Sequence, residues 1–577
     1  MKRTGAQLLA HALEQLPVPF TFGIPGTHTT EIYDELNQSE HVRPILVAHE
    51  GGGSFMADAI SRSGHGIGTL TIVPAAGTTH AMSGIGEAFV DGIPMLVITG
   101  GTRTDSGRHY QLHQVPQTDI ISGLTKAQYL LDDHSTVIRM VYDAYEEAIS
   151  GCPGPVFLEM PVNTMMFAAE VDELPPYEPR DLRPSFDRDE VRRIADLLCD
   201  AEAPMLYVGW GSLGGQEYTV KIAEALGAPV AVTLQGKSAF PNTHPLFTSV
   251  GIGASSKPSG QWALKRHDAL LAVGVRFSEI STGSYGLDQP ENLVHVDIDP
   301  NVFHKNYTAE IALEADAADF LEALWIEIDA RNHQAPHRAE VEETLQKMNR
   351  DYFDDWLTAP KSDIVSPGHF FRSLRAQLDD DAILVTDDGK HTFLASELFP
   401  VDQPRQFISP TDFNCMGYCV PAAIATKLAN PQKQVAAIVG DGAMLMTGLE
   451  LITAAAYEVA PILFIFNDGE LGQISQFQQI PLNRKTCTVL SNVNFEGIAL
   501  TAGIDYLTID HDGEIEERIA EAIKRSAEGT AVLVNVRIDY SKRTMLTKGV
   551  VKTNLGRFPL GEKLRFLGRA AKRHVFG

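Results

Sequence analysis

The chain has 577 residues, of which 44% are hydrophobic and 21% charged, which predicts a folded protein of about three domains rather than a disordered chain. Lys and Arg number 47 against 74 for Asp and Glu, and the formal net charge of −27 argues against binding to nucleic acid. The five cysteines include no CxxC pair, which argues against a disulfide framework and favours a reducing cytoplasm.

The first residues, MKRTGAQLLAHALEQL, combine two basic residues with an apolar run. His11 and Glu14 interrupt that run before it reaches the length of a signal peptide. The segment therefore predicts an amphipathic first helix. No stretch of the chain approaches 18 consecutive apolar residues, so no transmembrane span is predicted.

Short, β-rich apolar runs alternate with helix-like segments along the chain, which predicts parallel sheets in α/β layers. The runs fall into three sets: GTLTIV, PMLVITG and PVFLEMP; then PMLYVG, ALLAVGV and NLVHVDI; then AILVTD, QVAAIVG, PILFIFN and AVLVNV. Polar stretches near residues 171–190 and 330–343 separate the sets. We therefore predict an α/β protein of three domains, each a mostly parallel sheet flanked by helices: an N-terminal domain (1–170), a central domain (188–330), a C-terminal domain (360–545) and then a basic tail (546–577).

Two segments of the N-terminal domain place polar residues after predicted strands. PILVAHEGGGSFMADAISRSG puts Glu50 at a strand end, ahead of glycines and a helical pattern. FGIPGTHTTEIYDEL puts Thr27 and His28 in a Gly-rich turn, and the later loop TRTDSGRHYQLHQVPQ adds His113 and Gln114. A lone Glu at a strand end is usually a surface charge, and a His in such a turn can be structural, so these positions need a second signal.

The segment QVAAIVGDGAMLMTGLELITAAAYEVAPILFIFNDGELG, residues 434–472, predicts a strand, a tight turn, a helix, a strand and another turn. Asp441 follows the first strand and Asp468 follows the second. In a right-handed βαβ unit the two strand ends lie at one edge of the sheet, so we expect these carboxylates to converge. Gly440 and Gly442 allow close backbone approach, and the helix start attracts an anion. A diphosphate bridged by Mg²⁺ explains both features, because Mg²⁺ prefers oxygen ligands.

GDGAM followed later by NDGELG resembles the thiamine-diphosphate motif of the acetolactate synthase and pyruvate decarboxylase superfamily. The resemblance extends from residue 3 to about residue 540. In that family the metal ligands are the Asp of GDG, usually an Asn, and a backbone carbonyl two residues further on, which match Asp441, Asp468 and Glu470. The resemblance implies that the diphosphate and metal are held by Gly389, Lys390, His391, Gly440, Asp441, Gly442, Ala443, Asp468 and Glu470. Asp468 departs from the usual Asn, and either the metal or Lys390 would offset its added charge.

The same resemblance implies roles for the other candidates. Glu50 would be the carboxyl group at N1′ of the aminopyrimidine, which favours the imino form whose 4′ nitrogen takes the C2 proton of thiamine. Met416, in DFNCMGYCVP, would be the apolar wedge that bends the cofactor, and the backbone carbonyl of Asn414 would hold its amino group. A His at the place of His28 occurs in enzymes such as benzaldehyde lyase, where it relays protons.

The substrate pocket is predicted from the loops around these motifs. The resemblance implies that His113 and Gln114 reach the same cavity as His28, and that Thr27, Gln473, Ile474 and Phe477 line the substrate pocket. Three departures argue against a plain biosynthetic acetolactate synthase. Ile280 replaces an Arg, Ala76 and His80 stand at the Pro and Asn of the family's GPGATN, and Phe477 replaces a Trp.

The function that this resemblance implies is a thiamine-diphosphate- and Mg²⁺-dependent enzyme that makes or cleaves the C–C bond next to a carbonyl, as a 2-oxo acid decarboxylase or carboligase. One alternative is a hydroxyketone or aldehyde lyase that does not decarboxylate, and another is a catalytically silent binding protein. A third is a flavin-dependent oxidoreductase, since the central domain resembles one that carries FAD or is vestigial. GWGSLGG is a weak glycine-rich match, and the missing Arg at Ile280 argues against FAD.

Two expectations concern assembly. In this family the two ends of the cofactor are held by different subunits, which implies a homodimer or homotetramer. The tail from Lys542 onward is basic with Glu562 as its single acid, and LGEKLRFLGRAAKRHVF predicts an amphipathic helix. We expect that helix to pack on the protein or cover the active site in preference to lying on an anionic membrane.

Overall fold

The computed structural model describes residues 1–358 and 363–576. Three six-stranded sheets follow one another along the chain, and every strand pairing inside them is parallel. Helices flank each sheet, so the predicted α/β architecture of three domains is confirmed. Every apolar run that the sequence singled out is a strand, and the predicted first helix is present.

The N-terminal domain begins with an antiparallel pair outside its main sheet. Its elements are β1 (Lys2–Thr4), α1 (Gly5–Glu14), β2 (Phe20–Gly23), α2 (Thr30–Asn37), β3 (Arg43–Leu46), α3 (Glu50–Ser63), β4 (Gly68–Ile72), α4 (Ala76–Asp91), β5 (Met95–Gly101), α5 (Gln117–Ile121), β6 (Ala127–Leu130), α6 (Val137–Ile149), β7 (Pro155–Pro161), α7 (Val162–Met166) and β8 (Ala168–Glu170). The sheet order is β3-β2-β4-β5-β7-β6, while β1 pairs with β8. Thr4 caps α1 by accepting the backbone N–H of Gln7.

The central domain repeats the pattern with shorter strands. Its elements are α8 (Arg188–Asp200), β9 (Pro204–Val208), α9 (Gln216–Leu226), β10 (Val230–Val232), β11 (Phe247–Val250), α10 (Pro258–Leu264), β12 (Ala269–Val273), β13 (Leu293–Asp297), β14 (Ile311–Glu314) and α11 (Ala317–Ala330). The sheet order is β11-β10-β9-β12-β13-β14. A long helix, α12 (Arg338–Leu357), follows and packs on α10. It falls outside the predicted bounds of the central and C-terminal domains, and those bounds stay predictions.

The C-terminal domain and tail contain α13 (Pro367–Gln377), β15 (Ile383–Thr386), α14 (Lys390–Leu398), β16 (Phe407–Ile408), α15 (Cys419–Ala429), β17 (Val435–Gly440), α16 (Asp441–Thr447), α17 (Leu451–Ala456), β18 (Ile462–Asn467), α18 (Gly472–Leu482), α19 (Phe495–Ala502), β19 (Asp505–Ile509), α20 (Ile515–Ala527), β20 (Val532–Arg537), α21 (Met545–Arg557) and α22 (Leu560–Phe576). The sheet order is β16-β15-β17-β18-β20-β19.

The C-terminal sheet is buried on both faces, as its continuous apolar strands require. Side chains that point to one face, such as Ile438 and Phe464, belong to a core shared with the central domain. Those that point to the other face, such as Val439 and Ile465, belong to a core shared with the N-terminal domain. The C-terminal domain therefore lies between the other two.

The tail packs on the protein. Helix α21 contacts the turn Gly253–Ser255 of the central domain, and α22 contacts α18. Asn483, at the end of α18, donates a hydrogen bond to the backbone oxygen of Arg573 at 3.0 Å. None of the helices in the described part of the chain is both long and apolar enough to cross a membrane.

Candidate functional site

A cavity of about 120 Å³ opens at the carboxyl ends of β15, β17 and β18, where α14, α16 and α18 begin. This is the edge at which parallel α/β sheets bind ligands. Its lining includes all nine predicted diphosphate and metal residues together with Met416, Gln473 and Ile474. The lining residues are Asp388, Gly389, Lys390, His391, Met416, Gly440, Asp441, Gly442, Ala443, Phe466, Asp468, Glu470, Leu471, Gly472, Gln473, Ile474 and Tyr540.

Asp441 is the first residue of α16, and its carboxylate is fixed by two backbone groups. One oxygen accepts the N–H of Gly442 at 2.7 Å and the other accepts the N–H of Gly469 at 2.7 Å. Burial, with the nearby charge of Asp468, raises the pKa of Asp441 to about 6. Two carboxylates that lie this close repel each other, and a divalent cation between them would relieve that repulsion.

The ammonium group of Lys390 balances the negative charge that Asp468 adds in place of the family's usual Asn. Its Nζ lies 2.7 Å from Oδ2 of Asp468 and 4.0 Å from the centroid of the Tyr540 ring. Tyr540 follows the last strand, far from the motifs in sequence, and sequence reasoning missed it. The ammonium group is therefore held between a carboxylate and an aromatic face at the wall of the cavity.

The cavity also fits an anionic group. Nε2 of His391 is buried and has no hydrogen-bond partner among the described residues, and burial lowers the pKa of this imidazole to about 3. An added Cβ at Gly440 would lie 2.9 Å from Cε1 of His391, so a larger residue there would displace the ring. In the tautomer that carries the proton on Nε2, this unpartnered nitrogen next to Lys390 would donate to a diphosphate oxygen.

Glu470 lies in the same lining, and its side chain pairs with Lys485. Its backbone carbonyl remains for a metal, which is the ligand that the resemblance implies. The carboxylates of Asp441 and Asp468 with this carbonyl form an all-oxygen set, the kind that Mg²⁺ prefers. The residues present therefore fit both thiamine diphosphate and Mg²⁺.

The turn that carries Met416 is fixed by a buried carboxylate. Asp387 accepts the backbone N–H groups of Gly417 at 2.9 Å and Cys419 at 2.8 Å, and burial raises its pKa to about 7. Met416 reaches the cavity lining, whereas Asn414 is not part of it and hydrogen-bonds the side chain of Asp388. No motif in the sequence singled out Asp387.

The N-terminal half of the predicted site centres on Glu50, the first residue of α3, whose side chain is almost fully buried. Nδ1 of His80 lies 3.0 Å from Oε2 of Glu50. The ring of His80 stacks on that of His49 with centroids 4.7 Å apart. His80, noticed in the sequence as a departure from the family, is thus the direct partner of the predicted catalytic acid.

The turn before Glu50 is fastened to the C-terminal domain. The carboxylate of Glu450 accepts the backbone N–H of His49 at 2.9 Å and that of Ala48 at 3.1 Å. Burial raises the pKa of Glu450. Glu50 itself does not line the diphosphate cavity, whose described lining comes entirely from the C-terminal domain. Within one chain, the two halves of the predicted site are therefore separate.

The predicted substrate residues of the N-terminal domain are partly brought together. The rings of His28 and His113 meet edge to face with centroids 5.2 Å apart, and Oγ1 of Thr27 lies 3.2 Å from Nδ1 of His28. Burial, then the charge of His113, lowers the pKa of His28. Gln114 instead accepts the backbone N–H of Gln111 at 2.9 Å, within its own loop.

On the other side of the predicted pocket, α18 carries Gln473, Ile474 and Phe477. Oε1 of Gln473 is buried without a hydrogen-bond partner among the described residues. Ile474 and Phe477 are exposed, at 48% and 40% of their surface. Phe477 does not line the diphosphate cavity and lies on the next turn of the helix.

The glycine-rich segment of the central domain has a packing explanation. An added Cβ at Gly209 would lie 2.0 Å from the backbone oxygen of Gly274, so the close approach of two strand ends requires glycine there. Ile280 and Arg276 line a crevice of about 30 Å³ beside this contact. Nη2 of Arg276 lies 3.0 Å from Oδ2 of Asp412 in the C-terminal domain, which ties the two domains together.

Comparison with known proteins gives matches along most of the chain. Residues 3–121 match the N-terminal TPP binding domain of thiamine pyrophosphate enzymes, residues 191–324 their central domain, and residues 387–536 their C-terminal TPP binding domain.

Curated relatives match over similar lengths. The acetolactate synthase isozyme 1 large subunit of Escherichia coli (strain K12) is 28% identical over 558 residues, covering 96% of this chain and 97% of that protein. The probable acetolactate synthase large subunit of Methanocaldococcus jannaschii is 28% identical over 543 residues, covering 90% of each chain. An acetolactate synthase of Mycobacterium bovis is 30% identical over 488 residues, covering 83% of this chain and 78% of that protein.

Proposed function

The chain belongs to the thiamine pyrophosphate enzyme family, in which it is similar to acetolactate synthase, and we propose that it uses thiamine diphosphate and Mg²⁺ to make or cleave the C–C bond next to the carbonyl of a small 2-oxo acid. The reaction would be a decarboxylation or a carboligation. One observation carries the proposal. At the edge of the C-terminal sheet, the carboxylates of Asp441 and Asp468 converge beside a buried imidazole, that of His391, which has no partner among the described residues.

The cofactor would be held mainly by the C-terminal domain. Asp441, Asp468 and the backbone carbonyl of Glu470 would bind the metal, and His391 with Lys390 would face the diphosphate. Met416 would support the body of the cofactor from the same cavity. When bound, thiamine diphosphate supplies a carbon nucleophile and an electron sink, and the protein supplies position and electrostatics.

Glu50 would hold the proton that the aminopyrimidine ring exchanges. Its Oε2 is engaged by Nδ1 of His80, which leaves Oε1 as the oxygen available to a cofactor nitrogen. The backbone N–H groups that Glu450 accepts keep the turn before Glu50 in place. These contacts orient the carboxyl group before any cofactor arrives, and such pre-organisation lowers the cost of proton transfer.

The site would be completed by a second copy of the chain, as a homodimer or homotetramer. Two observations support this assembly. Glu50 lies outside the diphosphate cavity of its own chain, and apolar side chains are exposed along α16, the turn after it and the start of α17. Leu445, Leu449 and Ile452 follow helical spacing and are 47%, 57% and 44% exposed. Such an exposed apolar row beside a site is typical of a protein interface.

The substrate would lie between two groups of residues. His28, His113 and Thr27 would come from one subunit, and Gln473, Ile474 and Phe477 from the other. The His28–His113 pair favours a second candidate, a hydroxyketone or aldehyde lyase that does not decarboxylate, because paired imidazoles can exchange a proton with a substrate hydroxyl group. Gln114, which is hydrogen-bonded within its own loop, would reach the substrate after movement of that loop.

The test is incubation of the purified protein with Mg²⁺, thiamine diphosphate and a panel of 2-oxo acids and hydroxyketones. Release of CO₂ from an oxo acid supports the first candidate, and cleavage of a hydroxyketone without CO₂ supports the second. The absence of any reaction across the panel contradicts both. An absorption spectrum of the same preparation tests for bound flavin, and the cytoplasmic location expected from the cysteines stays a prediction.

A further inference from the structure

A second cavity, of about 380 Å³, lies between the central and C-terminal domains, where β11, α10 and α12 meet α13 and α14. It shares no lining residue with the diphosphate cavity. Aromatic rings, among them Phe247, Phe371 and Phe399, form much of its wall, and basic side chains interrupt them. The volume lies in the range of about 300–1,000 Å³ that small-molecule sites occupy.

Lys257 is the basic group that most needs a partner. The residue is 9% exposed, and its Nζ lies 5.0 Å from the centroid of the Phe247 ring. In the part of the chain that the structure describes, its ammonium group makes no hydrogen bond and no ion pair. Burial lowers the pKa of Lys257 to about 8. The side chain is therefore largely withdrawn from water while its ammonium group faces the cavity without an acceptor among the described residues, and a bound anion would offset the lost hydration.

The nearest carboxylate does not accept a hydrogen bond from Lys257. The carboxylate of Glu397 accepts the phenol of Tyr352 and the backbone N–H groups of Met545 and Leu546, the first residues of α21. These three donors therefore occupy much of the carboxylate's capacity to accept hydrogen bonds. Burial raises the pKa of Glu397, and the charge of Lys257 partly opposes that rise. The two groups therefore attract each other through space but form no hydrogen bond or ion pair, so the ammonium group remains open to a ligand.

More basic residues line the same cavity. Lys237 is 2% exposed, and its Nζ donates to Oδ1 of Asn242 at 2.5 Å. Burial, and then the charge of Lys257, lowers the pKa of Lys237 well below its usual range. The exposed Arg372 also lines the cavity. Four basic residues thus line this space, and the fourth, Arg375, lies over the Phe399 ring and donates to the backbone oxygen of Leu378. The carboxylate in the described lining, that of Glu397, is already engaged.

We propose that this cavity binds a small carboxylate with an apolar body. The carboxylate would pair with the ammonium group of Lys257, and the apolar part would lie against Phe247, Phe371 and Phe399. A purely hydrophilic anion such as phosphate would satisfy the charge and leave the aromatic walls without contact. The site is distinct from the cofactor cavity and would exist whichever reaction the enzyme carries out.

Calorimetric titration of the full chain, saturated with Mg²⁺ and thiamine diphosphate, tests the proposal. The probes are phenylacetate, its uncharged analogue phenylacetamide, and inorganic phosphate. We expect phenylacetate to bind about tenfold to a hundredfold more tightly than phenylacetamide, because a hydrogen bond to a charged group is lost with the amide. Phosphate binding equal to or tighter than phenylacetate binding would overturn the assignment to an apolar carboxylate.

The variant Lys257→Met keeps the length of the side chain and removes its charge. It should lose the preference for phenylacetate over phenylacetamide, while Lys265→Met, an exposed lysine at the other end of α10, should retain it. Phenylacetate binding that survives in Lys257→Met contradicts the proposal.

A measurement on the unaltered chain covers the case in which Lys257→Met does not fold. Phenylacetate should slow acetylation of Lys257 by acetic anhydride and leave that of Lys265 unchanged, as measured by mass spectrometry. Equal labelling of Lys257 with and without phenylacetate also overturns the proposal. Neither experiment depends on turnover, so its failure is distinguishable from a failure of the proposed function.

Discussion

The diphosphate half of the candidate site is assembled by strand ends of one sheet, whereas the Glu50 half depends on contacts between domains. Asp441 and Asp468 follow two adjacent strands, and their positions come directly from the strand–helix–strand unit. Glu50 is oriented by His80 from another helix and by a turn that Glu450 holds from another domain. The difference teaches that, in the proposed enzyme, one domain would bind the metal and diphosphate, while activation of the cofactor would depend on contacts between domains.

Asp441→Ala should have the largest effect, because it removes a metal ligand and the acceptor of two backbone N–H groups. The loss of Mg²⁺-dependent cofactor affinity should exceed the roughly 10–100-fold cost of losing an outer-shell partner. Titration with thiamine diphosphate, with and without Mg²⁺, measures it. The exposed Asp380→Ala in the same domain is the matched control. Unchanged affinity in Asp441→Ala would remove the metal assignment.

Glu50→Gln should distinguish activation of the cofactor from its binding. The substitution keeps the shape of the side chain and removes its ability to exchange a proton. Turnover should fall about 10²–10⁴-fold, the usual contribution of a positioned acid or base. Cofactor affinity should change little, because the diphosphate cavity does not contain this residue. Steady-state kinetics with a parallel cofactor titration checks both parts, and full activity in Glu50→Gln would contradict the role of the carboxyl group.

Mixing the two inactive variants tests whether the halves come from different chains. When Glu50→Gln and Asp441→Ala subunits are unfolded, mixed in equal amounts and refolded together, about a quarter of the original activity should return, because half of the symmetric dimers are mixed and each has one intact site. Each variant refolded alone is the control. If no activity returns while the unaltered protein regains its own, the proposed shared site is wrong.

His80→Asn should have the smallest effect, and it tests whether His80 acts on Glu50 or only packs beside it. It restores the residue that the family resemblance places there and replaces an imidazole beside Oε2 of Glu50. Loss of one side-chain hydrogen bond should change turnover by up to about tenfold, with a changed pH profile of kcat and an unchanged cofactor affinity. The readout is the pH profile itself, and a profile identical to that of the unaltered protein would make His80 a packing residue.

The central strands of the sheets could be predicted because their two faces are both buried, so their sequences are apolar throughout. The strands that the sequence did not single out lie mostly towards sheet edges and are short or mixed. β16 has two residues, and β14 alternates buried and exposed side chains. The apolar signal of such a strand is too brief to stand out from its surroundings.

The residues of the candidate site also fall into those that the sequence predicts and those that it does not. Asp441, Asp468 and Glu470 are close in sequence, and a local motif predicts them. The contact of Lys390 with Tyr540 and that of His49 with Glu450 join residues far apart in the chain, which only the folded structure brings together. Phe477 lies outside the diphosphate cavity because the helical turn of α18 carries it past Gln473 and Ile474.

The position of the C-terminal sheet between two shared cores has a thermodynamic consequence. Its strands cannot separate without exposing apolar faces of both neighbouring domains to water, so the free energies of unfolding of the three domains are coupled. A ligand that binds at the edge of this sheet lowers the free energy of the folded state alone. Ligand binding therefore raises the free energy of unfolding of the central domain as well, although that domain contributes no residue to the diphosphate cavity.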